Sequence, residues 1–144
     1  LYEKFSTIDQ IPLAIFDRGR LILFSGLLTL DMRGELLVEL VWKLNAPSTE
    51  EVFVHAFDCQ GNLLGMADGP PLGRMFPFWQ WVNDETVRDV RNIRLSDSSS
   101  LDCVMVEVGL FEPSTGNRVV VHDPDGNEYL NGVVGLGINL DNEK

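Results

Sequence analysis

Cysteine is nearly missing from this chain of 144 residues, which contains only Cys59 and Cys103. The two lack the C-x-x-C spacing of zinc and redox sites, so the sequence gives no signature for either kind of site. A disulfide between them would fit an exported protein. The interpretation that we favour is two small, buried hydrophobic side chains in or beside strands.

Basic residues are scarce as well. Eleven Lys and Arg residues stand against 22 Asp and Glu residues, which gives a formal net charge of −11. A field of that sign repels phosphate backbones and anionic lipid surfaces, so nucleic acid is a poor candidate partner. The acidic residues, Glu50 and Asp89 among them, are scattered along the chain. This scatter predicts a solvated acidic surface rather than an acidic tail.

Long apolar runs and helical periodicity are also lacking. The longest apolar stretch, Leu21–Leu30, is interrupted by Ser25, Gly26 and Thr29 and falls short of the roughly 18 residues that suggest a membrane-spanning helix. No stretch repeats apolar residues at helical spacing between capping residues. The sequence also contains no G-x-S-x-G elbow, no H-E-x-x-H motif and no glycine-rich phosphate loop. It therefore predicts neither an enzymatic activity nor a cofactor.

The chain does show alternation of apolar and polar residues, the pattern of a β-strand with one face in a core. The pattern is clearest over 36–44, 51–58 and 102–111. The core residues predicted from it are Leu36, Val38, Leu40, Trp42, Val52, Val54, Val104, Val106, Val108 and Leu110. Weaker strands are predicted over 13–16, 21–30, 63–67, 86–95, 118–121 and 133–140.

Turn residues separate these strands, for example at 59–62, 113–117 and Asp125-Gly126. The long strand 21–30 is expected to bulge or bend at Ser25-Gly26, because glycine permits it there. About eight or nine short strands favour an all-β fold. We expect a two-sheet antiparallel β-sandwich, of jelly-roll or immunoglobulin-like type, in a single domain over residues 1–144.

One aromatic segment between the strands is suited to touching a partner: Met75-Phe76-Pro77-Phe78-Trp79-Gln80-Trp81. Three interpretations of its rings remain open. They could close an end of the sandwich as a hydrophobic plug, which we favour. They could instead form the centre of a protein interface, or stack on sugar rings as in carbohydrate-binding sandwiches. The candidate binding residues, for protein or glycan, are Phe76, Phe78, Trp79 and Trp81.

Two smaller groups of polar residues have structural interpretations. His55 lies in mid-strand between Phe53 and Phe57, and we expect its ring to bond to a neighbouring strand or loop. The segment 123–128 has oxygen-bearing side chains at alternate positions, as a calcium loop does. Its glycine comes too early, however, and no glutamate follows at the required distance, so we expect a solvated turn. The sequence predicts no metal site.

The chain also resembles a known family in several short motifs. The matching residues are 52–58, Gly61, 68–71, Gly73, Pro77, Trp81, Glu85, Val87, Asp89, 108–113 and 115–118. They are similar to the β-sandwich domain at the C-terminal end of many bacterial membrane glycosyltransferases of the dolichyl-phosphate-mannose type. Similar domains occur in related surface proteins. The resemblance covers roughly residues 16–140.

The resemblance implies a non-catalytic accessory or assembly module outside the cytoplasm, at the cell surface or membrane, with a protein partner in a membrane or surface complex. It does not imply sugar transfer, because the membrane-embedded catalytic part is not in this sequence. The alternative is a carbohydrate-binding module that uses the aromatic segment, with a glycan as ligand.

The chain departs from the family pattern within the aromatic segment. Phe78 stands where the pattern usually has Thr, and Asn83-Asp84 stands where it usually has Pro-Gly. Because Trp81 matches the pattern, we expect it to be buried against the sandwich. Phe78 and Trp79 should be exposed, or covered only by a partner, since a lone domain gains little from extra exposed rings.

Overall fold

In a computed structural model, the chain folds into two antiparallel β-sheets packed face to face. The structure describes residues 13–31, 33–45, 50–69, 86–96 and 103–139. The strands are β1 (Ala14–Phe16), β2 (Leu21–Leu30), β3 (Glu35–Leu44), β4 (Glu51–Asp58), β5 (Leu63–Met66), β6 (Thr86–Arg94), β7 (Cys103–Phe111), β8 (Val121–His122) and β9 (Val134–Asn139).

The order of the strands is β6-β3-β2-β1-β8 in one sheet and β5-β4-β7-β9 in the other. The chain crosses from one sheet to the other between β3 and β4. β3 pairs with β6, and β4 pairs with β7, so each pairs with a strand distant in sequence. Such crossovers are the Greek-key connections of immunoglobulin-like sandwiches. The prediction of a two-sheet antiparallel β-sandwich is confirmed.

The core lies between the sheets and follows from the period-two alternation of the strands. All ten predicted core residues are buried, with no more than 1% of any of them exposed. Phe16 from β1 joins them and packs against Trp42, with the ring centroids 5.7 Å apart. Burial of a side chain of this kind stabilises the fold by about 1.5–3 kcal/mol before entropy is counted.

The predicted strand bounds agree with the structure to within two residues, except for 118–121. Only Val121 of that segment belongs to β8, while Arg118 forms an isolated bridge with Phe111. The bulge in β2 is at Phe24, one residue before the predicted position, because Leu23 pairs with Trp42 and Ser25 already pairs with Val41.

Gly26 has a different role from the predicted one. A Cβ atom at this position would lie 2.6 Å from Cδ1 of Leu136, which belongs to β9 in the opposite sheet. The missing side chain therefore makes room for Leu136 between the sheets.

Cys59 and Cys103 form a disulfide, so the interpretation as two buried hydrophobic side chains is wrong. Cys59 lies in the exposed turn after β4. The register of β4 and β7 places Asp58 opposite Val104, which makes Cys59 and Cys103 the next facing pair. Their Cα atoms are 5.8 Å apart, a separation that a disulfide spans without backbone movement.

Three tight turns are built in the same way, on Asp31, Asp58 and Asp123. In each, the Oδ1 atom of the aspartate accepts the backbone N–H groups two and four residues further on, at 2.8–3.0 Å. The glycine three residues after each aspartate has a φ angle of 81°, 88° or 91°, which L side chains rarely adopt. The turn predicted at 123–128 is confirmed.

We expect the disulfide to contribute strongly to stability. It closes a loop of 44 residues, which in the chain-entropy account is worth up to about 4 kcal/mol. The double variant Cys59→Ser/Cys103→Ser should therefore lose about 2–4 kcal/mol of unfolding free energy in urea titrations. Reductant should lower the stability of the native protein by a similar amount and leave the variant unchanged. Native protein insensitive to reductant would contradict this.

The aspartate turns predict a loss of stability in acid. Asp31, Asp58 and Asp123 each accept hydrogen bonds that hold the pKa of their carboxyl groups below the ordinary value of 3.8. The bond that lowers the pKa most comes from Glu35, Asn62 and Asn127, respectively. The unfolded chain therefore takes up protons first as the pH falls, and stability is lost on passing below about pH 4.

A variant with Asn in place of Asp31, Asp58 and Asp123 keeps an acceptor oxygen at each turn but has no charge to titrate there. Its unfolding free energy should fall less than that of the native chain between about pH 4 and pH 2. Urea unfolding at neutral pH serves as the control that the variant is folded. Superimposable acid profiles for the two proteins would refute this origin of the acid sensitivity.

Candidate functional site

The predicted binding residues Phe76, Phe78, Trp79 and Trp81 lie outside the residues that the structure describes. The expected difference between Trp79 and Trp81 therefore stays a prediction. The structure does describe both flanks of the segment 70–85 that carries these rings. Gly69 precedes it in the sheet of β4, and Thr86 follows it as the first residue of β6.

The flank before the segment is held to β4 by backbone hydrogen bonds. Ala67 donates to the carbonyl oxygen of Val54 at 2.9 Å. Gly69 and Val52 exchange two bonds, from Gly69 N to Val52 O at 2.8 Å and from Val52 N to Gly69 O at 3.3 Å. The chain thus enters the segment from a position fixed at the start of β4.

A buried ion pair attaches this flank to the other sheet. Asp89 and Arg91 both point into the core from β6, and both are buried. The guanidinium of Arg91 donates to Asp89 Oδ2 from Nε at 3.1 Å and from Nη2 at 2.9 Å. It also donates to the carbonyl oxygens of Ala67, at 2.8 Å, and Gly69, at 3.0 Å. Arg91 therefore bridges β6 and the residues just before the segment 70–85.

Trp42 completes this arrangement, since its Nε1 donates to Asp89 Oδ2 at 3.3 Å. The burial of Asp89 corrects the expectation that the scattered acids are solvated. The sequence held the signal for it, because alternation along β6 places Asp89 and Arg91 on the same face as Val87 and Ile93. Glu50 is a second buried acid, and Arg20 donates to its Oε1. Both acids can be buried because an arginine pairs with each.

His55 has a carboxylate partner on the outer face of the sheet. Its Nε2 lies 3.1 Å from Asp68 Oδ2, and Asp68 Oδ1 accepts the backbone N–H of Val54 at 2.9 Å. The imidazole lies 5.2 Å from the ring of Phe53 and 6.5 Å from that of Phe57. The expected bonding of this ring to a neighbouring segment is confirmed. The aspartate fixes the orientation of the imidazole, but catalysis would need a third, reacting group.

In the segment 123–128, the side-chain oxygens of Asp123 accept hydrogen bonds from within the turn. Asp123 accepts bonds from the backbone of Asp125 and Asn127 and from Asn127 Nδ2 at 3.3 Å. Over the ranges that the structure describes, no group of three or more His, Cys, Asp or Glu residues is placed to hold a metal ion.

A cleft of about 480 Å³ lies beside β8. It is lined by Asp17, Arg18, Val119, Val120, His122 and Glu128. Asp17 and Arg18 have φ angles of 47° and 58°, a strained conformation for residues other than glycine. The cleft presents charges of both signs beside two valines, so its lining does not select a ligand of one charge.

The outer face of the sheet β5-β4-β7-β9 carries an apolar patch. Leu63, Met66 and Met105 are 49%, 52% and 43% exposed, and Phe57 lies between them, opposite Leu63 on one side and Met105 on the other. Adjacent exposed apolar side chains of this kind are typical of protein contact surfaces. Alternation along β4 and β7 already placed Phe57 and Met105 on this face.

No protein-family model matches this chain, and no curated protein matches it either. Among the described residues, no helix is both long enough and apolar enough to cross a membrane.

We predict that the Asp89–Arg91 pair is needed for stability. Arg91→Met removes the cation from a buried carboxylate and takes one donor from each of two carbonyl oxygens, so it should cost about 3–5 kcal/mol of unfolding free energy. The matched control is Arg94→Met on the same strand, whose pair with Glu35 is exposed and should be worth no more than about 1 kcal/mol. Equal losses in urea unfolding would show that the buried pair has no special importance.

Proposed function

We propose that this chain is a non-catalytic accessory or assembly module of a membrane or cell-surface complex, and that it works outside the cytoplasm. The observation that carries the proposal is the disulfide between Cys59 and Cys103. Disulfides form and persist in oxidising compartments, and they are rare in cytoplasmic proteins, where thiols are kept reduced.

The resemblance to the sandwich domain of membrane glycosyltransferases supports the same location. Residues that carry the resemblance have structural roles in this chain. Val52 and Val54 are core residues, Asp89 is the buried partner of Arg91, and Gly69 accepts the hydrogen bond that holds the flank of segment 70–85. Rigid scaffolds of this kind commonly support binding residues.

Two surfaces are suited to a protein partner. One is the segment 70–85 with its four aromatic rings, which starts from a flank bonded to both sheets. The other is the apolar patch of Leu63, Met66, Phe57 and Met105. The apolar patch lies on paired strands, and this fixed backbone lowers the entropy lost on binding.

The location is tested by trapping thiols in the native cells. Acid quenching followed by a maleimide that adds mass should leave both cysteines unmodified until the protein is reduced, because the disulfide is already formed. Modification of both cysteines without reduction, in a protein found in the cytoplasm, would refute the proposed location.

The assembly role is tested by isolating the protein under mild detergent conditions and identifying what accompanies it. We expect a membrane or surface protein to copurify, and Trp79→Ala to weaken this while leaving the melting temperature nearly unchanged. Leu27→Ala is the control, because Leu27 is also exposed but lies in the other sheet. A protein that is recovered without any such companion would contradict the assembly role.

The carbohydrate-binding alternative gives a different result in solution. Polysaccharides would change the tryptophan fluorescence of the native chain but not of Trp79→Ala, and this outcome would favour a glycan ligand over a protein partner.

A further inference from the structure

The four edges of the two sheets differ in how well they are protected. The β6 edge carries Arg88, Arg91 and Arg94. The β8 strand has only two residues, and Tyr129 donates to Val121 beside it. At the β5 edge, the carbonyl oxygen of Leu64 accepts the N–H of Ser96 at 3.0 Å. Natural sheets use charge, short strands and covering segments of this kind to prevent pairing with other chains.

Within the ranges that the structure describes, the β9 edge has none of these protections. Its six residues, Val134–Asn139, carry no charge and no proline. It pairs with β7 on one side, and no strand in the described part of the chain pairs with its other side. An unprotected edge of this kind can accept another strand.

No contact among the described residues explains Gly135 in this strand. Its φ angle is not in the left-handed region, and no atom of the described residues lies within 4 Å of where its Cβ would be. Glycine weakens a strand interior, and there it often marks the close approach of another chain or a ligand. Nothing in the described part of the chain fills this position, so it leaves room for the backbone or a side chain of another strand.

Gly137, two residues later, shows what could come close. A Cβ at Gly137 would lie 2.9 Å from the sulfur of Met105, which faces Gly137 in the register of β7 and β9. The Met105 side chain therefore leans over Gly137 towards the free edge, and 43% of Met105 is exposed. A methionine can fill an irregular apolar gap because its chain is flexible.

We propose that β9 pairs in antiparallel orientation with β9 of a second copy of this chain, which joins two four-stranded sheets into one continuous sheet. A two-fold axis at Leu136 would place Val134 opposite Ile138 and Gly135 opposite Gly137 of the other copy. Met105 of each copy, already lying over its own Gly137, then extends over Gly135 of the other copy. The exposed apolar patch becomes continuous across the junction.

A second copy fits this edge better than an unrelated strand because the edge is self-complementary. In a two-fold interface, a residue i that meets residue j of the other copy requires that j also meet i of that copy. The sequence Val-Gly-Leu-Gly-Ile satisfies this, because its apolar and glycine positions have the same order in both directions. An unrelated strand would have to supply its own side chain to cover Gly135.

The net charge of −11 on each copy opposes this pairing. The β9 edge itself carries no charge, so the repulsion acts over longer distances and salt screens it. The dimer should therefore tighten as the ionic strength rises. The inference does not depend on the proposed function, because the edges would pair in either compartment.

The test is sedimentation equilibrium of the 144-residue chain over a range of concentrations and salt. We expect a species of twice the 16.1 kDa chain mass. Gly135→Lys should raise the dimer Kd at least about tenfold, because its side chain occupies the space that Met105 of the other copy needs. The monomer tolerates this change, since the position is open and its backbone is not left-handed.

Thr29→Lys is the matched control, with the same charge change on an exposed position of the other sheet. It should leave the dimer intact or tighten it, because it lowers the net negative charge. Hydrogen exchange gives a second readout: the β9 amides that face away from β7 should be protected in the native dimer and exchange rapidly in Gly135→Lys.

A monomer at every concentration and salt would overturn the proposal. So would a dimer that Gly135→Lys does not weaken, or protection of the β9 amides that persists in a monomer. Occupation of this edge by a strand of another protein, in material isolated from native cells, would replace the second copy with that partner.

Discussion

The buried pair of Asp89 and Arg91 is the interaction on which the rest of the molecule depends. It puts two charges between the sheets of a small sandwich, where unpaired charges would be strongly destabilising. The geometry avoids this because Arg91 bonds both to Asp89 and to two carbonyl oxygens of the opposite sheet. One guanidinium thus joins the sheets and fixes the residues that precede the aromatic segment.

Constraints act at both ends of β4. At its start, Val52 is bonded to Gly69, and at its end, Cys59 is linked to Cys103, the first residue of β7. The central strand of the sheet is thereby tied to its neighbours at each end. The outer face of that sheet is held in a definite shape, so its exposed side chains do not have to be ordered when a partner binds.

That outer face is where this chain departs most from a simple solvated sandwich. It combines exposed methionine and leucine side chains and the half-buried Phe57 with the bare glycines of an uncharged edge. The opposite edge of the fold, on β6, carries three arginines. The net charge of −11 limits non-specific association, so contact is directed towards the few places that lack charge.

Alternation alone was enough to identify the strands and ten core residues, because a period of two assigns every side chain to a face. Several turns were likewise predicted from glycines that lie beside other turn-forming residues. Other features required the tertiary structure. Cys59 and Cys103 became partners only once the register placed them opposite each other. The bonds from Arg91 to the carbonyl oxygens of Ala67 and Gly69, which help to bury the pair with Asp89, form only when the sheets pack. The bulge at Phe24 and the contact of Gly26 with Leu136 also depend on the opposing strand. Local pattern sets which face a residue takes, whereas pairing depends on contacts between residues far apart in the chain.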